Sequence, residues 1–237
     1  MKINKIYNED CLITMANMPD NFVEYTLTSP PYNVNTERIK KYNNYKDSST
    51  QEEYFEQQKK VITELLRVTK KHIFYNIQML SGNKMALHKL IGYFAENIKE
   101  VIIWRKGFGE PAISKNIFNS AFEYIIILSN DEPHKRYFKD ANFKRGTQSN
   151  IFEKLNTNNN NYSDVHKAIM PLDIPRYFMI NFGNENDIWH DPYIGTGTTA
   201  VAAIKENRNY TGSEISKDYF DIANKRIKQY IDQLTLF

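Results

Sequence analysis

The stretch that decides the fold is Asp191-Pro192-Tyr193-Ile194-Gly195-Thr196-Gly197-Thr198-Thr199. It predicts the end of a strand, a tight turn at the two glycines and a helix that begins with the two threonines. Glycine permits a positive φ and lets the backbone approach a ligand closely, and the free amide groups at a helix start can face an acidic group. An α/β sheet builds a site for a nucleotide-type ligand in this way.

An acidic residue further along the chain supports this interpretation of the glycine turn. Glu214 lies 23 residues after Asp191, at the predicted end of the next strand. There its carboxylate can accept hydrogen bonds from both hydroxyl groups of a ribose. The turn lacks the third glycine of the dinucleotide fingerprint, so by itself it also fits an ordinary connection between a strand and a helix.

The composition excludes several classes of protein. The chain has 237 residues, a formal net charge of +3 and one cysteine, Cys11, which excludes an internal disulfide and a cysteine metal cluster. No apolar run reaches the ~18 residues that a membrane helix needs, and no signal peptide is visible after Met1. We therefore expect a cytoplasmic α/β protein without membrane contact and without a metal. Such a mild charge does not by itself indicate nucleic-acid binding.

Strand and helix patterns alternate along the chain. Strands are predicted over 22–28, 72–77, 101–104, 122–128, 188–191 and 209–213, and helices over 52–70, 79–97, 198–206 and from Ser216 onward. This alternation predicts a mostly parallel sheet with helices on both faces. Residues 33–49 are interpreted as a mobile loop. Residues 131–164, which contain the asparagine-rich run 156–161, interrupt the alternation and are interpreted as an insertion.

A second motif, Thr28-Ser29-Pro30-Pro31-Tyr32-Asn33, follows the first long strand. The prolines end the strand because neither can donate a backbone hydrogen bond to a neighbouring strand. The Ser29 hydroxyl and the Pro30 carbonyl can accept hydrogen bonds from an amine, and Tyr32 offers a flat face on which a base can stack. Taken alone, the segment also fits a proline-rich loop with an exposed tyrosine.

Together, and in this order, the two motifs resemble those of the beta class of amino-group DNA methyltransferases. The family pattern Asp-Pro-Phe-x-Gly-Ser-Gly-Thr-Thr differs from residues 191–199 at Tyr193 and Thr196 alone. Asn8-Glu9-Asp10-Cys11-Leu12 is similar to the family's Gly-Asp-Cys segment. The resemblance covers most of the chain. It departs from the family at residues 166–171, where the first proline of the His-Pro-x-x-x-Pro segment is missing.

The resemblance implies a Rossmann-like methyltransferase fold with permuted motifs. Residues 1–130 would form the catalytic half, 131–164 a target-recognition insertion and 165–237 the cofactor-binding half. The implied cofactor is S-adenosylmethionine, with S-adenosylhomocysteine as product. Asp10 also fits a helix cap, and Cys11 fits a small buried side chain better than a reactive thiol. The cofactor-binding residues would be Asp10, Cys11, Asp191, Tyr193, Gly195, Thr196, Gly197, Thr198, Thr199 and Glu214.

The implied activity is methyl transfer to the exocyclic amine of a base flipped out of double-stranded DNA. Ser29, Pro30, Pro31 and Tyr32 would be the catalytic residues. Ser-Pro-Pro-Tyr is more usual in the cytosine-N4 enzymes of the family, whereas Asp-Pro-Pro-Tyr is typical of the adenine-N6 enzymes. We therefore expect cytosine-N4 methylation, with adenine-N6 as the alternative. A regulatory subunit that binds DNA without catalysis, and a methyltransferase acting on RNA or on protein glutamine, are further alternatives.

Two basic stretches with interleaved aromatic residues are candidate DNA contacts. Such stretches suit phosphate contact and base stacking, and a solvated charged surface is the alternative for each. A restriction endonuclease and a second copy of the chain are candidate partners on which the sequence does not decide. The candidate DNA-binding residues are Arg38, Lys40, Lys41, Lys135, Arg136, Lys144 and Arg145.

Overall fold

The structure is a computed structural model that describes residues 1–34, 49–110, 115–153 and 170–234, without the side chains of 107–110 and 234. Its strands are β1 (Lys5–Tyr7), β2 (Val23–Thr28), β3 (Thr69–Ile77), β4 (Ile98–Glu110), β5 (Ser120–Ser129), β6 (Ile151–Glu153), β7 (Ile188–Asp191) and β8 (Asn209–Ser213). Its helices are α1 (Cys11–Ala16), α2 (Gln51–Val68), α3 (Lys84–Tyr93), α4 (Asp173–Asn181), α5 (Thr198–Lys205) and α6 (Lys217–Leu234). None of these helices combines the length and the apolar composition needed to cross a membrane.

Within the described ranges, eight strands form one sheet in the order β1-β8-β7-β2-β3-β5-β4-β6. The strands from β1 to β3 in this order are parallel, β5 is antiparallel to both its neighbours, and β6 is parallel to β4. The predicted mostly parallel sheet is therefore confirmed. The chain continues from β7 to β8 on one side and from β2 to β3 on the other. The strand order thus reverses between β7 and β2, and α/β proteins bind ligands at the carboxyl ends of strands at such a point.

Two apolar cores cover the two faces of the sheet. Successive side chains of a strand point to opposite faces, so Phe74 of β3 joins one core and Tyr75 joins the other. The first core contains α4, α5 and part of α6, and its aromatic centre is Trp189, whose ring stacks on Tyr25 with centroids 4.6 Å apart. The second core contains α1, α2 and α3 around the fully buried Leu65.

The helix predicted over 79–97 is shorter in the structure. The Asn83 side chain accepts from the Leu80 amide at 2.8 Å and donates to the Gln78 carbonyl at 3.0 Å. These bonds hold residues 78–83 in a turn, and α3 therefore begins only at Lys84. By contrast, β4 and β5 are longer than predicted because they pair with each other as far as Glu110 and Ser120.

The described part of the predicted insertion packs on the first core. Phe138 and Phe143 contact Phe182 edge to face, and β6 pairs with β4 and forms the edge of the sheet. The Asp140 carboxylate accepts hydrogen bonds from Tyr25 and from His72, the latter at 2.8 Å. Residues 131–153 therefore belong to the same packed unit as the sheet. Their role in target recognition stays a prediction, and the run 156–161 lies outside the described residues.

Candidate active site

The structure brings the two predicted motifs side by side at the carboxyl ends of the two central strands. Thr28 ends β2 and Asp191 ends β7, and these strands are neighbours. The Thr28 hydroxyl donates a buried hydrogen bond of 2.8 Å to Asp191 Oδ1. This bond fixes the Ser29-Pro30-Pro31-Tyr32 tip against the glycine turn, so a group held by one motif lies next to a group held by the other.

Both carboxylate oxygens of Asp191 accept hydrogen bonds from the protein. Besides Thr28, Oδ1 accepts from the Tyr193 amide at 3.1 Å, and Oδ2 accepts from the Thr199 hydroxyl at 2.6 Å. Burial raises the pKa of Asp191 to about 6. Its hydrogen bonds run to the strand end, to the turn and to α5, so Asp191 shapes the turn, and its contact with the cofactor stays a prediction.

The glycine turn has the backbone that its sequence predicted. Gly195 and Gly197 have positive φ values of 52° and 85°, and α5 begins directly after Gly197. A Cβ at Gly197 would lie 3.2 Å from the Cβ of Ala223, so this position also needs glycine for close packing. Thr196, Thr198 and Thr199 are buried. The accessible part of the turn is therefore at Tyr193 and Gly195, which are half-buried.

Arg226 of α6 is the partner of the buried threonines. Its Nη1 donates to the Thr198 hydroxyl at 3.1 Å and to the Thr196 carbonyl at 3.3 Å. This guanidinium lies beneath the turn, where a pattern of glycines and threonines does not predict a charged group. The hydroxyl groups of Thr196 and Thr198 therefore support the turn from inside.

Glu214 stands at the end of β8, next to the turn. Its Oε2 accepts from the Gly195 amide at 3.0 Å and its Oε1 from the Ser216 amide at 2.8 Å. Burial raises the pKa of this carboxyl group. The Ser216 hydroxyl is buried and has no hydrogen-bond partner among the residues that the structure describes. An acidic side chain beside an orphaned hydroxyl fits a ligand that carries several hydroxyl groups, such as the ribose of S-adenosylmethionine.

The Asp10 segment lies on the other side of Glu214, because β1 pairs with β8. Asp10 caps α1 by accepting from the Leu12 amide at 2.8 Å, which confirms the helix-cap interpretation and leaves its cofactor contact a prediction. Cys11 is buried, and burial together with the Asp10 carboxylate raises the pKa of its thiol to about 12. Cys11 is therefore a packed side chain and not a reactive thiolate.

The Ser29-Pro30-Pro31-Tyr32 tip is held by residues of α2 and of the turn before α3. The Tyr54 hydroxyl donates to the Pro31 carbonyl at 2.7 Å, and Asn83 Nδ2 donates to the Tyr32 carbonyl at 2.9 Å. Asn33, with a positive φ of 54°, exchanges two hydrogen bonds with Ser49. Its Nδ2 donates to the Ser49 carbonyl at 2.9 Å, and its Oδ1 accepts from the Ser49 amide at 2.8 Å.

Three polar residues that the sequence interpretation left without a role meet beneath the tip. Asn76 lies near the end of β3, Lys106 lies in β4 and Glu123 lies in β5. The Tyr32 hydroxyl contacts Glu123 Oε2 at 2.8 Å, Asn76 Nδ2 at 2.7 Å and Ser29 Oγ at 2.9 Å. The sequence signal for this cluster was the carboxylate of Glu123 within the apolar strand 120–129. An ionised side chain is seldom buried without a partner, so a partner was to be expected.

The structure describes four of the seven residues that were predicted to contact DNA. Arg38, Lys40 and Lys41 fall outside the described residues. Lys135 pairs with Glu132 at 2.7 Å, and Arg136 pairs with Glu100 near the start of β4. The structure therefore places these two side chains toward the strand starts, away from the tip at the carboxyl end of β2. Lys144 and Arg145 are exposed.

The described histidines and acids offer no metal centre. No group of three or more side chains from His, Cys, Asp and Glu in the described ranges could hold a metal ion. His190 is a buried residue of β7, and burial lowers its pKa to about 4. Its Nδ1 lies 3.3 Å from the Thr211 carbonyl. The expectation that His190 is a strand residue is therefore confirmed.

A family model described as DNA methylase, of the N6/N4 methyltransferase type, matches residues 23–225. The chain belongs to this family. It is 30% identical over 254 aligned positions to the type II methyltransferase M.BglII of Bacillus subtilis, with 93% of this chain and 68% of that protein covered. It is 30% identical over 263 positions to the orphan methyltransferase M.BamHII of Bacillus amyloliquefaciens, with 91% and 92% covered. The fold is similar to that of the PvuII DNA methyltransferase, described as cytosine-N4-specific, with a TM-score of 0.73, 17% identity, and 98% and 93% of the two chains covered.

Membership in this family confirms the predicted enzyme class and the predicted cofactor. The protein is a DNA methyltransferase that uses S-adenosylmethionine. When bound, this cofactor supplies a methyl group that is electrophilic because it is attached to a sulfonium. The fold and the glycine turn fit that role, since both turn and tip lie at the point where the strand order reverses.

Proposed function

We propose that the methyltransferase modifies the exocyclic N4 amine of cytosine within a specific sequence of double-stranded DNA. The observation that carries this proposal is the hydroxyl group of Ser29 at the first position of the tip, where the adenine-N6 pattern has a carboxylate. Adenine-N6 is the alternative. A restriction endonuclease partner and a homodimer stay predictions.

The residues of the tip prepare the amine for attack by orienting it. An exocyclic amine has a lone pair that is delocalised into the base, so acceptors for its two N–H groups help to localise that lone pair. Ser29 Oγ and the Pro30 carbonyl supply such acceptors. The Thr28–Asp191 hydrogen bond keeps the tip beside the glycine turn. An amine and a methyl group that are held in line at short range react with a lower activation barrier, because little entropy is lost in bringing them together.

We also propose that the duplex approaches the carboxyl end of the sheet, past the hairpin formed by β4 and β5. This hairpin continues beyond Glu123 and carries Ile117 and Phe118, whose exposed fractions are 61% and 99%. Apolar side chains that DNA-bending proteins present in this way enter between base steps. An exposed phenylalanine at the same end of the sheet as a site that must receive a flipped base supports DNA contact at this end.

The direct test is mass spectrometry of digested DNA from a host that expresses the chain. The expected product is N4-methylcytosine at one sequence, located by modification sequencing. If N6-methyladenine is the only product, the assignment to cytosine is wrong, but the proposed orientation of the amine by the tip still applies. The absence of either product with cofactor-loaded protein on diverse duplexes would instead favour a protein that binds DNA without catalysis.

A further inference from the structure

We propose that the buried carboxylate of Glu123 fixes the donor direction of the two hydroxyl groups at the tip, so that Ser29 meets the target amine as a hydrogen-bond acceptor. Glu123 would thus be a positioning residue that acts through Tyr32. The inference rests on the proposed function, because it concerns the same amine.

The first step is the state of Glu123. Its exposed fraction is 5%, its Oε1 forms an ion pair with the Lys106 ammonium, and its Oε2 faces Tyr32 and Asn76. The Lys106 ammonium also lies 5.4 Å from the centre of the Trp104 ring, a favourable distance for a cation near an aromatic face. A carboxylate that is paired with a cation in this way is ionised, and an ionised carboxylate can only accept hydrogen bonds.

The second step is the proton of Tyr32. A phenol has one proton to donate, and the Tyr32 oxygen lies 2.8 Å from Glu123 Oε2, a carboxylate oxygen that can only accept. The Tyr32 proton therefore points at Glu123. Toward Ser29, at 2.9 Å, the Tyr32 oxygen can then act only as an acceptor.

The third step is the proton of Ser29. Because Tyr32 accepts, the Ser29 hydroxyl donates its single proton to Tyr32. One lone pair of Ser29 Oγ accepts from Asn76 Nδ2 at 3.3 Å, and the other remains to accept from the amino group of a base, which is a donor. If Ser29 instead pointed its proton outward, an O–H and an N–H would oppose each other. The direction set at Glu123 thus decides whether Ser29 attracts or repels the amine.

Asn76 reinforces the same direction. Its Nδ2 donates to Glu123 Oε2 at 2.7 Å and lies 2.7 Å from the Tyr32 oxygen. A reversed amide would place its carbonyl oxygen against the carboxylate, two acceptors face to face. The Oδ1 atom is buried without a partner among the described residues. In this orientation the amide gives the carboxylate a second donor, at the cost of one unsatisfied atom of its own among the described residues.

The test is a double-mutant cycle on the purified enzyme with a duplex that contains the site methylated in host DNA. Glu123→Gln replaces the acceptor with an amide that can also donate, and Tyr32→Phe removes the intermediate hydroxyl but keeps the ring. Each change is expected to lower kcat by about 10- to 100-fold, because each removes one oriented hydrogen bond to a charged group from the transition state. DNA affinity and S-adenosylmethionine affinity should stay within about twofold, because neither change removes a binding group.

The double variant separates positioning from general damage. If both residues act through one chain of hydroxyl groups, the double variant is no slower than the slower single variant, since residues of one network are not additive. Glu52→Gln is the matched control, because Glu52 is an exposed carboxylate of α2 that pairs with Lys89 of α3, outside the segment predicted to recognise the target. It should keep the wild-type kcat.

Three results would overturn the inference. They are a wild-type kcat in Glu123→Gln, losses that multiply in the double variant, and a fall in cofactor affinity that parallels the fall in kcat. If Glu123→Gln fails to fold, an unchanged kcat in Tyr32→Phe overturns the inference equally. If the wild-type enzyme methylates adenine, only the assignment to cytosine is refuted. The double-mutant cycle still tests the inference, because Ser29 would orient the amine of adenine in the same way as that of cytosine.

Discussion

The Thr28 hydroxyl donates to Asp191 Oδ1 at 2.8 Å and so joins the ends of the two strands between which the strand order reverses. One strand leads into the Ser29-Pro30-Pro31-Tyr32 tip and the other into the glycine turn. The two motifs lie 163 residues apart in the chain. Their alignment in space therefore depends on a side-chain contact as well as on sheet pairing.

Thr28→Val should lower the catalytic rate more than it lowers stability. The substitution keeps the shape of the side chain and removes the donor, which leaves a buried carboxylate with fewer partners and costs about 1–3 kcal/mol. Chemical denaturation and single-turnover kinetics measure the two effects. Thr63→Val is the control, since the Thr63 hydroxyl is exposed and bonds only within α2. A variant with full activity would show that sheet pairing alone aligns the motifs.

Glu214→Gln should weaken S-adenosylmethionine binding by about 10- to 100-fold. Hydrogen bonds from ribose hydroxyls to a charged carboxylate contribute roughly 1.5–3 kcal/mol each, and the amide keeps the size of the side chain. Isothermal titration calorimetry measures the change, with the exposed Glu185→Gln as control. Unchanged affinity in a variant that melts like the wild type would contradict the assignment of Glu214 to the cofactor.

Asp191→Asn should remove a pH dependence of stability between about pH 4 and pH 6. Burial raises the pKa of Asp191 from 3.8 to about 6 in the folded protein, so the folded state binds more protons than the unfolded state within this window. The stability of the wild type, relative to the variant, therefore falls as pH rises from 4 to 6, by on the order of 2–3 kcal/mol. Urea denaturation of both proteins across this range measures the difference. A difference that is constant with pH would refute the raised pKa.

Phe118→Ala should weaken DNA binding by about 10- to 100-fold with an unchanged salt dependence, because an apolar stacking contact contributes ~1–3 kcal/mol and releases no counterions. Tyr137→Ala is the matched control. Tyr137 is also an exposed aromatic residue, at 67%, but it belongs to the segment anchored near the strand starts. Fluorescence anisotropy with a labelled duplex compares them. Equal effects of the two substitutions would contradict the proposed approach of the DNA.

Neutralising Lys144 and Arg145 together should flatten the salt dependence of DNA binding, by ~0.9 in slope for each phosphate group that the variant no longer neutralises. Neutralising Lys135 and Arg136 should leave the slope unchanged, since Glu132 and Glu100 already pair with these side chains. Binding titrations at several salt concentrations distinguish the two pairs. If both double variants keep the wild-type slope, the whole basic stretch is a solvated surface.

The sequence predicted six of the eight strands that the structure describes, the order of the motifs and the conformation of the glycine turn, because these depend on local patterns. It did not predict that Asn76, Lys106 and Glu123 meet. Their proximity depends on the antiparallel register of β3, β4 and β5, in which Asn76 pairs with Ile125 and Trp104 with Glu123. Periodicity identifies a strand but not the residues opposite to it on its neighbours.

The roles of charged residues were harder to predict for a related reason. Lys135 and Arg136 belong to a basic stretch, yet Arg136 pairs with Glu100, which is 36 residues away. Asp191 was predicted from its motif to contact the cofactor, and the motif did not indicate that three hydrogen bonds would also join it to the strand end, the turn and α5. A motif records which residue types occur, and only the packed structure decides whether their polar atoms remain for a ligand.

The paired hydrogen bonds between Asn33 and Ser49 have a consequence for protein engineering. They tie the two ends of the 34–48 stretch to each other and, through Asn33 Nδ2 and the Gly82 carbonyl at 2.7 Å, to the body of the protein. We expect these hydrogen bonds to allow inserted stretches of different length between the two residues. The reason is that doubling the length of a flexible inserted chain raises the entropic cost of closing it by only ~0.6 kcal/mol. Stretches taken from other enzymes could therefore be grafted between these two residues without redesigning either core.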